Sequence, residues 1–167
     1  MINKALIVSL LLVSACHAKQ DPLFLISDSI SGKYGYVNSK NDTIIPLGKY
    51  QFCLTDTFKK LAFVSKYNSG IIAINRNEEV LFKPYIFDNG PDYVSEGYLR
   101  IIDNNKMGFA DTNGVITVKP QFGCAFPFEK GLAKVSNDCQ IVKSDPEHSK
   151  WESEHWFYIN KQGKRVK

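Results

Sequence analysis

From Leu23 onward the apolar residues come in short runs, alternating with polar positions or wholly apolar, and polar turns separate the runs. That is the pattern of strands joined by tight turns. The clearest stretch covers residues 98–103, 107–111 and 115–120, with Asn104-Asn105-Lys106 and Thr112-Asn113-Gly114 between them: strand, turn, strand, turn, strand. The order recurs upstream at 71–75, ending on Lys83-Pro84 in register with Lys119-Pro120, and again at 34–38 with the next strand at 43–46. It returns at Trp156-Phe157-Tyr158-Ile159-Asn160, after an insertion, and this last copy breaks off as its third strand begins. Gly114 and Gly163 stand where a short hairpin needs a left-handed residue; Asn41 can take the same conformation, and Glu78 makes a poorer turn there. Pro46, Pro84 and Pro120 have no amide to offer a ladder and are expected to end the third strand of their copies. One meander cannot bury its own apolar face, so four copies must stack. The fold class predicted is all-β: three-stranded antiparallel meanders in an open array, or curled into a closed propeller-like or barrel-like ring.

Ahead of this domain, Met-Ile-Asn-Lys precedes an apolar and small-residue stretch from Ala5 to Ala15, broken only by Ser9 and Ser14. At about 1.5 Å per residue such a stretch falls well short of a hydrocarbon core of about 30 Å, so it reads as a signal peptide rather than a permanent span. Val13-Ser14-Ala15-Cys16 resembles the lipobox of bacterial lipoproteins, which implies cleavage before Cys16 and acylation of that cysteine. Several acyl chains on one residue give the stable anchoring that a single chain does not. The expected organisation is a signal peptide at 1–15, a short tether at 16–22, and a β domain at 23–167 carrying an insertion at 137–155. The expected location is the envelope, facing the periplasm. The position after Cys16 is His17 rather than Asp, which by the same resemblance implies the outer membrane where a second membrane exists. Ordinary cleavage after Ala18 remains open, and would give a soluble periplasmic or secreted protein.

Composition changes this picture little. With 44% hydrophobic and 23% charged residues in 167, the chain is long enough for one core and too short for two full domains. Phe, Tyr and Trp together reach 13%, which favours strands. Twenty-one basic against 17 acidic residues leave +4, scattered without a basic stripe, so nucleic acid is not an expected partner.

The segments Gly32-Lys33-Tyr34-Gly35-Tyr36-Val37-Asn38, Asn105-Lys106-Met107-Gly108-Phe109-Ala110-Asp111 and Ala125-Phe126-Pro127-Phe128-Glu129-Lys130-Gly131-Leu132-Ala133 resemble the WG repeat, also called the KWG repeat, of many bacterial proteins. The resemblance covers roughly residues 23–166. The Trp position holds Tyr34, Ile71, Met107 and Trp156, and the paired Gly survives only at Gly35 and Gly108. The copies with Ile72 and Phe157 at that place are degenerate, and their packing is expected to differ locally. The resemblance implies an all-β repeat module without a catalytic motif; it supplies an architecture and no reaction.

Beyond Cys16, three cysteines remain: Cys53, Cys124 and Cys139. Cys124 follows one copy and Cys139 closes the first strand of the next, so a disulfide between them is favoured, closing a loop worth about 3 kcal/mol on the chain-entropy estimate. Cys53, between Phe52 and Leu54, reads as a buried thiol. The insertion departs from the repeat and is the place to look for grafted function. Its plain reading is a polar surface loop with one exposed aromatic, Trp151. The candidate contact patch is Trp151 and Trp156 with His148 and His155. Cys139, His148 and His155 match no compact zinc spacing, and a disulfide thiol cannot ligate, so no metal is expected. No cofactor is expected either. Glu147, Glu152 and Glu154 have no fixed separation to suggest a glycosidase pair. Nucleophile elbows, phosphate loops and metalloprotease signatures are missing, so the chain is not expected to be an enzyme. Asp103 and Asp111 recur as Asn75, Asn38 and Asn160 and read as turn residues. The function expected is a membrane-anchored module for macromolecular interaction with an envelope protein or glycan. The alternatives are a small-ligand or glycan binder, or an envelope hydrolase using the insertion.

Overall fold

The computed structural model describes residues 21–143 and 149–166. The signal segment 1–15, Cys16, Glu147 and His148 lie outside the described residues. Four antiparallel meanders follow one another. The first is β1 (Leu23–Asp28), β2 (Lys33–Val37) and β3 (Thr43–Tyr50). Short strands β4 (Phe52–Cys53) and β5 (Thr57–Phe58) lead into the second, β6 (Leu61–Lys66), β7 (Gly70–Asn75) and β8 (Val80–Pro84). A small ribbon, β9 (Ile86–Phe87) with β10 (Gly90–Pro91), precedes the third, β11 (Tyr98–Asp103), β12 (Lys106–Asp111) and β13 (Ile116–Phe122). After β14 (Cys124–Ala125) comes β15 (Leu132–Ser136), then the hairpin β16 (Gln140–Lys143) and β17 (Ser149–Glu152), and finally β18 (Phe157–Asn160) and β19 (Arg165–Val166).

Neighbouring meanders share strands. β5 adds to the first sheet beside β1, β4 pairs with β6, and β14 pairs with β15. The second and third meanders merge into a seven-stranded sheet ordered β13-β12-β11-β8-β7-β6-β4, between four-stranded sheets β3-β2-β1-β5 and β14-β15-β18-β19. None of these sheets closes into a barrel among the described residues, so the array is open. Each core lies between meanders. Leu23, Tyr36 and Phe58 pack with Val64 and Ile74 between the first and second; Ala73 and Phe82 meet Leu99 and Ile101 between the second and third; Phe109 and Phe128 meet Val135 and Ile159 between the third and fourth. Cys53 is buried in the first of these, and burial pushes its thiol up to about 11.

The second turn of every meander is built alike. Asn38 Oδ1 accepts from the amides of Lys40 and Asp42, Asn75 Oδ1 from Asn77 and Glu79, Asp111 Oδ1 from Asn113 and Val115, and Asn160 Oδ1 from Gln162 and Lys164. One short side chain thus closes each turn through two amides. The left-handed place is filled by Asn41, Glu78, Gly114 and Gly163 at φ of 65°, 62°, 90° and 75°. Glu78, the least suited of these, is held by Lys49 Nζ at 2.6 Å and the Tyr50 hydroxyl at 2.9 Å.

The third strand makes a detour. Across β2 and β3, Tyr34 pairs with Tyr50 and Tyr36 with Ile45; across β12 and β13, Met107 pairs with Phe122 and Phe109 with Val118. Several residues therefore oppose Gly35 or Gly108 alone, and the bulged chain folds down onto the glycine. A Cβ on Gly35 would stand 2.5 Å from the Ile45 carbonyl oxygen; one on Gly108 would collide with the Val118 carbonyl oxygen and stand 2.6 Å from the Pro120 nitrogen. Pro46 and Pro120 lie inside this detour, within β3 and β13, so they do not end their strands as the sequence pattern suggests; only Pro84 does. A bulge tolerates a residue without an amide because its backbone is already out of the ladder. Where Ile72 replaces the glycine, the strand cannot fold back over it. β8 stops pairing with β7 at Phe82, and its end pairs with β11 instead, Pro84 with Ile101 and Lys83 with Ile102.

The substitution Gly108→Ala is expected to cost about 1–3 kcal/mol, the usual range for overpacking against immovable atoms. Gly90, with open space around its Cα, serves as control, and Gly90→Ala should change stability by less than about 0.5 kcal/mol. Urea unfolding of the two variants against the parent checks both values.

Candidate functional site

Arg100 sits in β11 between Leu99 and Ile101, which enter the core between the second and third meanders; its own side chain takes the opposite face. It is only 4% exposed, so its charge must be met inside the protein. Asp92, just after the β9–β10 ribbon and also 4% exposed, meets it. Arg100 Nε donates to Asp92 Oδ2 at 2.8 Å and Nη2 to Oδ1 at 2.5 Å, a bidentate pair; the Arg100 amide reaches Oδ2 at 3.0 Å, and Nη1 reaches the Ala125 carbonyl oxygen at 3.2 Å. The Asp92 amide donates to the Tyr85 carbonyl and the Tyr85 amide to the Arg100 carbonyl, which ties the irregular 85–92 segment to β11.

Aromatic rings close around this guanidinium. Its carbon lies 4.8 Å from the Tyr85 ring centre, 5.8 Å from Phe87, 5.9 Å from Tyr93 and 5.9 Å from Trp151. The cation seat of this box is thus occupied by the protein's own arginine. The rings continue outward: Trp151 stands edge-on to Phe126 at 5.4 Å, Phe126 meets Trp156 at 5.5 Å, and Lys134 Nζ sits 4.6 Å from the Trp156 centre. Tyr85, Phe87, Tyr93, Phe126 and Trp151 wall an open groove of about 500 Å3 over Arg100, with Trp156 and Lys134 just beyond it. Phe87 and Tyr93 are each 52% exposed and Ile141, at the hairpin edge, 73%. These side chains form a contiguous apolar surface.

The insertion supplies one wall. It folds as the hairpin β16–β17 rather than a loop, and Trp151 is half-buried against Tyr85 and Phe126 rather than exposed. The hairpin pairs with no other sheet among the described residues. Its base is fastened instead by the Cys124–Cys139 disulfide and by a polar knot. In that knot the Ser136 and Ser153 hydroxyls both lie 2.7 Å from Asp138 Oδ1, and His155 Nδ1 lies 2.5 Å from Asp138 Oδ2. These contacts hold the Asp138 carboxyl well below the usual carboxylate range, the Ser136 hydroxyl first, then Ser153 and His155. A Ser, His and Asp meet here, yet the hydroxyls are held on the carboxylate. A nucleophile would need its hydroxyl on the imidazole, so this is not an acyl-transfer arrangement.

Trp151, Trp156 and His155 therefore line one polar notch beside the groove, while His148 and Cys16 lie outside the described residues. Cys139 is in the disulfide and is no metal ligand, and no group of three or more His, Cys, Asp or Glu fit for a metal occurs among the described residues. Sequence reasoning missed Arg100, Asp92 and the Tyr85, Phe87 and Tyr93 rings. A signal was present: an arginine inside the apolar run Tyr98-Leu99-Arg100-Ile101-Ile102 demands a buried partner.

Removing the partner alone, Asp92→Ala, leaves a buried unpaired guanidinium and is expected to destabilise by about 3–5 kcal/mol, whereas Asp92→Leu combined with Arg100→Met should restore most of the loss. Urea unfolding of both variants separates these outcomes. The Asp138 pKa is lower folded than unfolded, so the stability it contributes is present above the ordinary carboxylate range and is lost as pH falls through its folded value. Asp138→Asn should accordingly be less stable than the parent near neutral pH, with the gap closing in acid, as urea midpoints across a pH series would show.

A search of curated proteins and a search of solved structures each return no match for this chain. The family model described as "WG containing repeat" matches residues 34–68 and 107–138. Each match opens at the residue before a crowded glycine, Gly35 or Gly108, and runs through the detour into the first strand of the following meander. On these two segments the chain carries the WG-containing repeat, within a meander that is built four times over.

Proposed function

We propose that this chain is a non-catalytic interaction module, tethered to a bacterial envelope membrane through Cys16, which offers the aromatic groove of its third and fourth meanders to a macromolecular partner. The observation that carries the reading is the groove itself: exposed Phe87, Tyr93 and Ile141 over a floor made rigid by the Arg100–Asp92 pair. Aromatic side chains held in place bind at little cost in conformational freedom, and Trp and Tyr dominate binding hot spots. The tether rests on Val13-Ser14-Ala15-Cys16 and on the short distance along the chain to Asp21, whose carbonyl oxygen accepts from Arg76 Nη1 at 2.7 Å and so belongs to the folded domain. The non-catalytic reading rests on the absence of an activated hydroxyl in the Asp138 knot and of any enzyme motif spacing in the sequence.

The test is cross-linking in the native envelope, with recovery through a C-terminal tag, for the parent chain, a Cys16→Ala variant and a Tyr93→Ser variant. A stoichiometric partner is expected with the parent and is lost with either variant. Recovery of the bare chain from all three would sink the reading.

A further inference from the structure

We infer that the groove over Arg100 takes a proline-rich peptide segment in the polyproline II conformation, flanked by acidic residues. The inference rests on the reading of the groove as a docking face and names its occupant. The floor strand β11 is paired on both sides, by β8 and by β12, so an incoming peptide cannot add to it as a strand. A cationic ligand is excluded from the aromatic box because Arg100 fills it. Over that floor a partner meets the rings and their polar tips.

Those tips are donors. Tyr85, Tyr93 and Trp151 line the groove, and the hydroxyls and the indole N–H they carry make no hydrogen bond to another described residue. A polyproline II segment has no internal hydrogen bonds, so its carbonyl oxygens are open to such donors, and its pyrrolidine rings pack between flat aromatic ridges. The segment is also stiff before it binds, which lowers the ordering cost.

Charge selects the flanks. Among the described residues, the charged side chains lining the groove are Arg100, neutralised by Asp92, and Lys150, and no described carboxylate lines it. Lys134 adds a second cation at the Trp156 end. Glu152 pairs with Lys150 at 2.7 Å, but both are more than half exposed, so water screens that pair and leaves the lysine available to a ligand. A sugar chain fits less well, because hydroxyl-rich ligands are gripped by amide and carboxylate side chains and the described lining contains neither Asn, Gln, Asp nor Glu.

The chain's two tryptophans, Trp151 and Trp156, both adjoin the groove, so intrinsic fluorescence reports its occupancy. The purified Cys16→Ser chain would be titrated with a synthetic proline-rich peptide flanked by glutamates. Three comparison ligands complete the set: the same peptide flanked by lysines, a version with alanine for every proline, and a peptidoglycan-type oligosaccharide. A saturable fluorescence change is expected with the first, about tenfold weaker binding with lysine flanks, and none with the alanine version or the sugar. Lys150→Glu, an exposed change that leaves the fold intact, should reverse the preference between the flanks, and Tyr93→Ala should abolish binding. Equal responses to the proline and alanine peptides, no saturable response at all, or saturation by the sugar alone would overturn the inference. If that happens while envelope cross-linking still yields a partner lost on Tyr93→Ser, the docking face stands and only the occupant is wrong. If both fail, the docking reading falls with it.

Discussion

A three-stranded meander leaves one apolar face open, and every core of this protein forms where two such faces meet. Leu23 and Tyr36 of the first meander are covered by Val64 and Ile74 of the second; Phe109 of the third is covered by Val135 and Ile159 of the fourth. The short strands β5 and β14 strengthen these joints by adding backbone hydrogen bonds where side chains already interlock. Stability in such an array belongs to the interfaces between units rather than to the units, as in other linear repeats.

The glycines at positions 35 and 108 act on the same economy from inside a unit. They let the third strand double over the second, so that it stays with its own meander for its full length. Ile72 withdraws that option, and the strand it would have carried crosses to β11. A single position thus decides whether two meanders remain separate sheets or fuse into one, and the fused sheet is the platform on which Arg100 and its ring of aromatics are mounted. The loss of the repeat's own signature in the second copy and the presence of the groove on the third are parts of one arrangement.

Periodicity made the meanders legible because each strand is short, half-buried and bounded by a turn with strict chemistry. Asn38, Asn75, Asp111 and Asn160 recur in sequence because each closes the same turn through two amides, and the Cys124–Cys139 pair follows from where β14 and β15 begin and end. The places of Pro46 and Pro120 are not legible in the sequence, because a bulge and a strand end both free the backbone from the ladder and look alike in one dimension. The Arg100–Asp92 pair is not legible in the sequence because it depends on the segment from Tyr85 to Tyr93, whose path no alternation of polar and apolar residues encodes. Trp151 reads as exposed because its neighbours Lys150 and Glu152 are polar; that a two-stranded hairpin would fold back onto Phe126 is settled by the disulfide and the Asp138 knot at its base, both of them long-range.

The strand sharing between meanders also sets how such a chain can lengthen. A meander copied whole, first strand to third, would arrive without the half-interface its neighbour needs. The matched segments instead begin on a second strand and end just past the first strand of the next meander, spanning residues 34–68 and 107–138. A duplication with those ends inserts one complete joint and leaves both old joints intact. The repeat so matched is offset by one strand from the unit visible as a sheet, and an array lengthened by whole joints would keep a continuous core at every intermediate length.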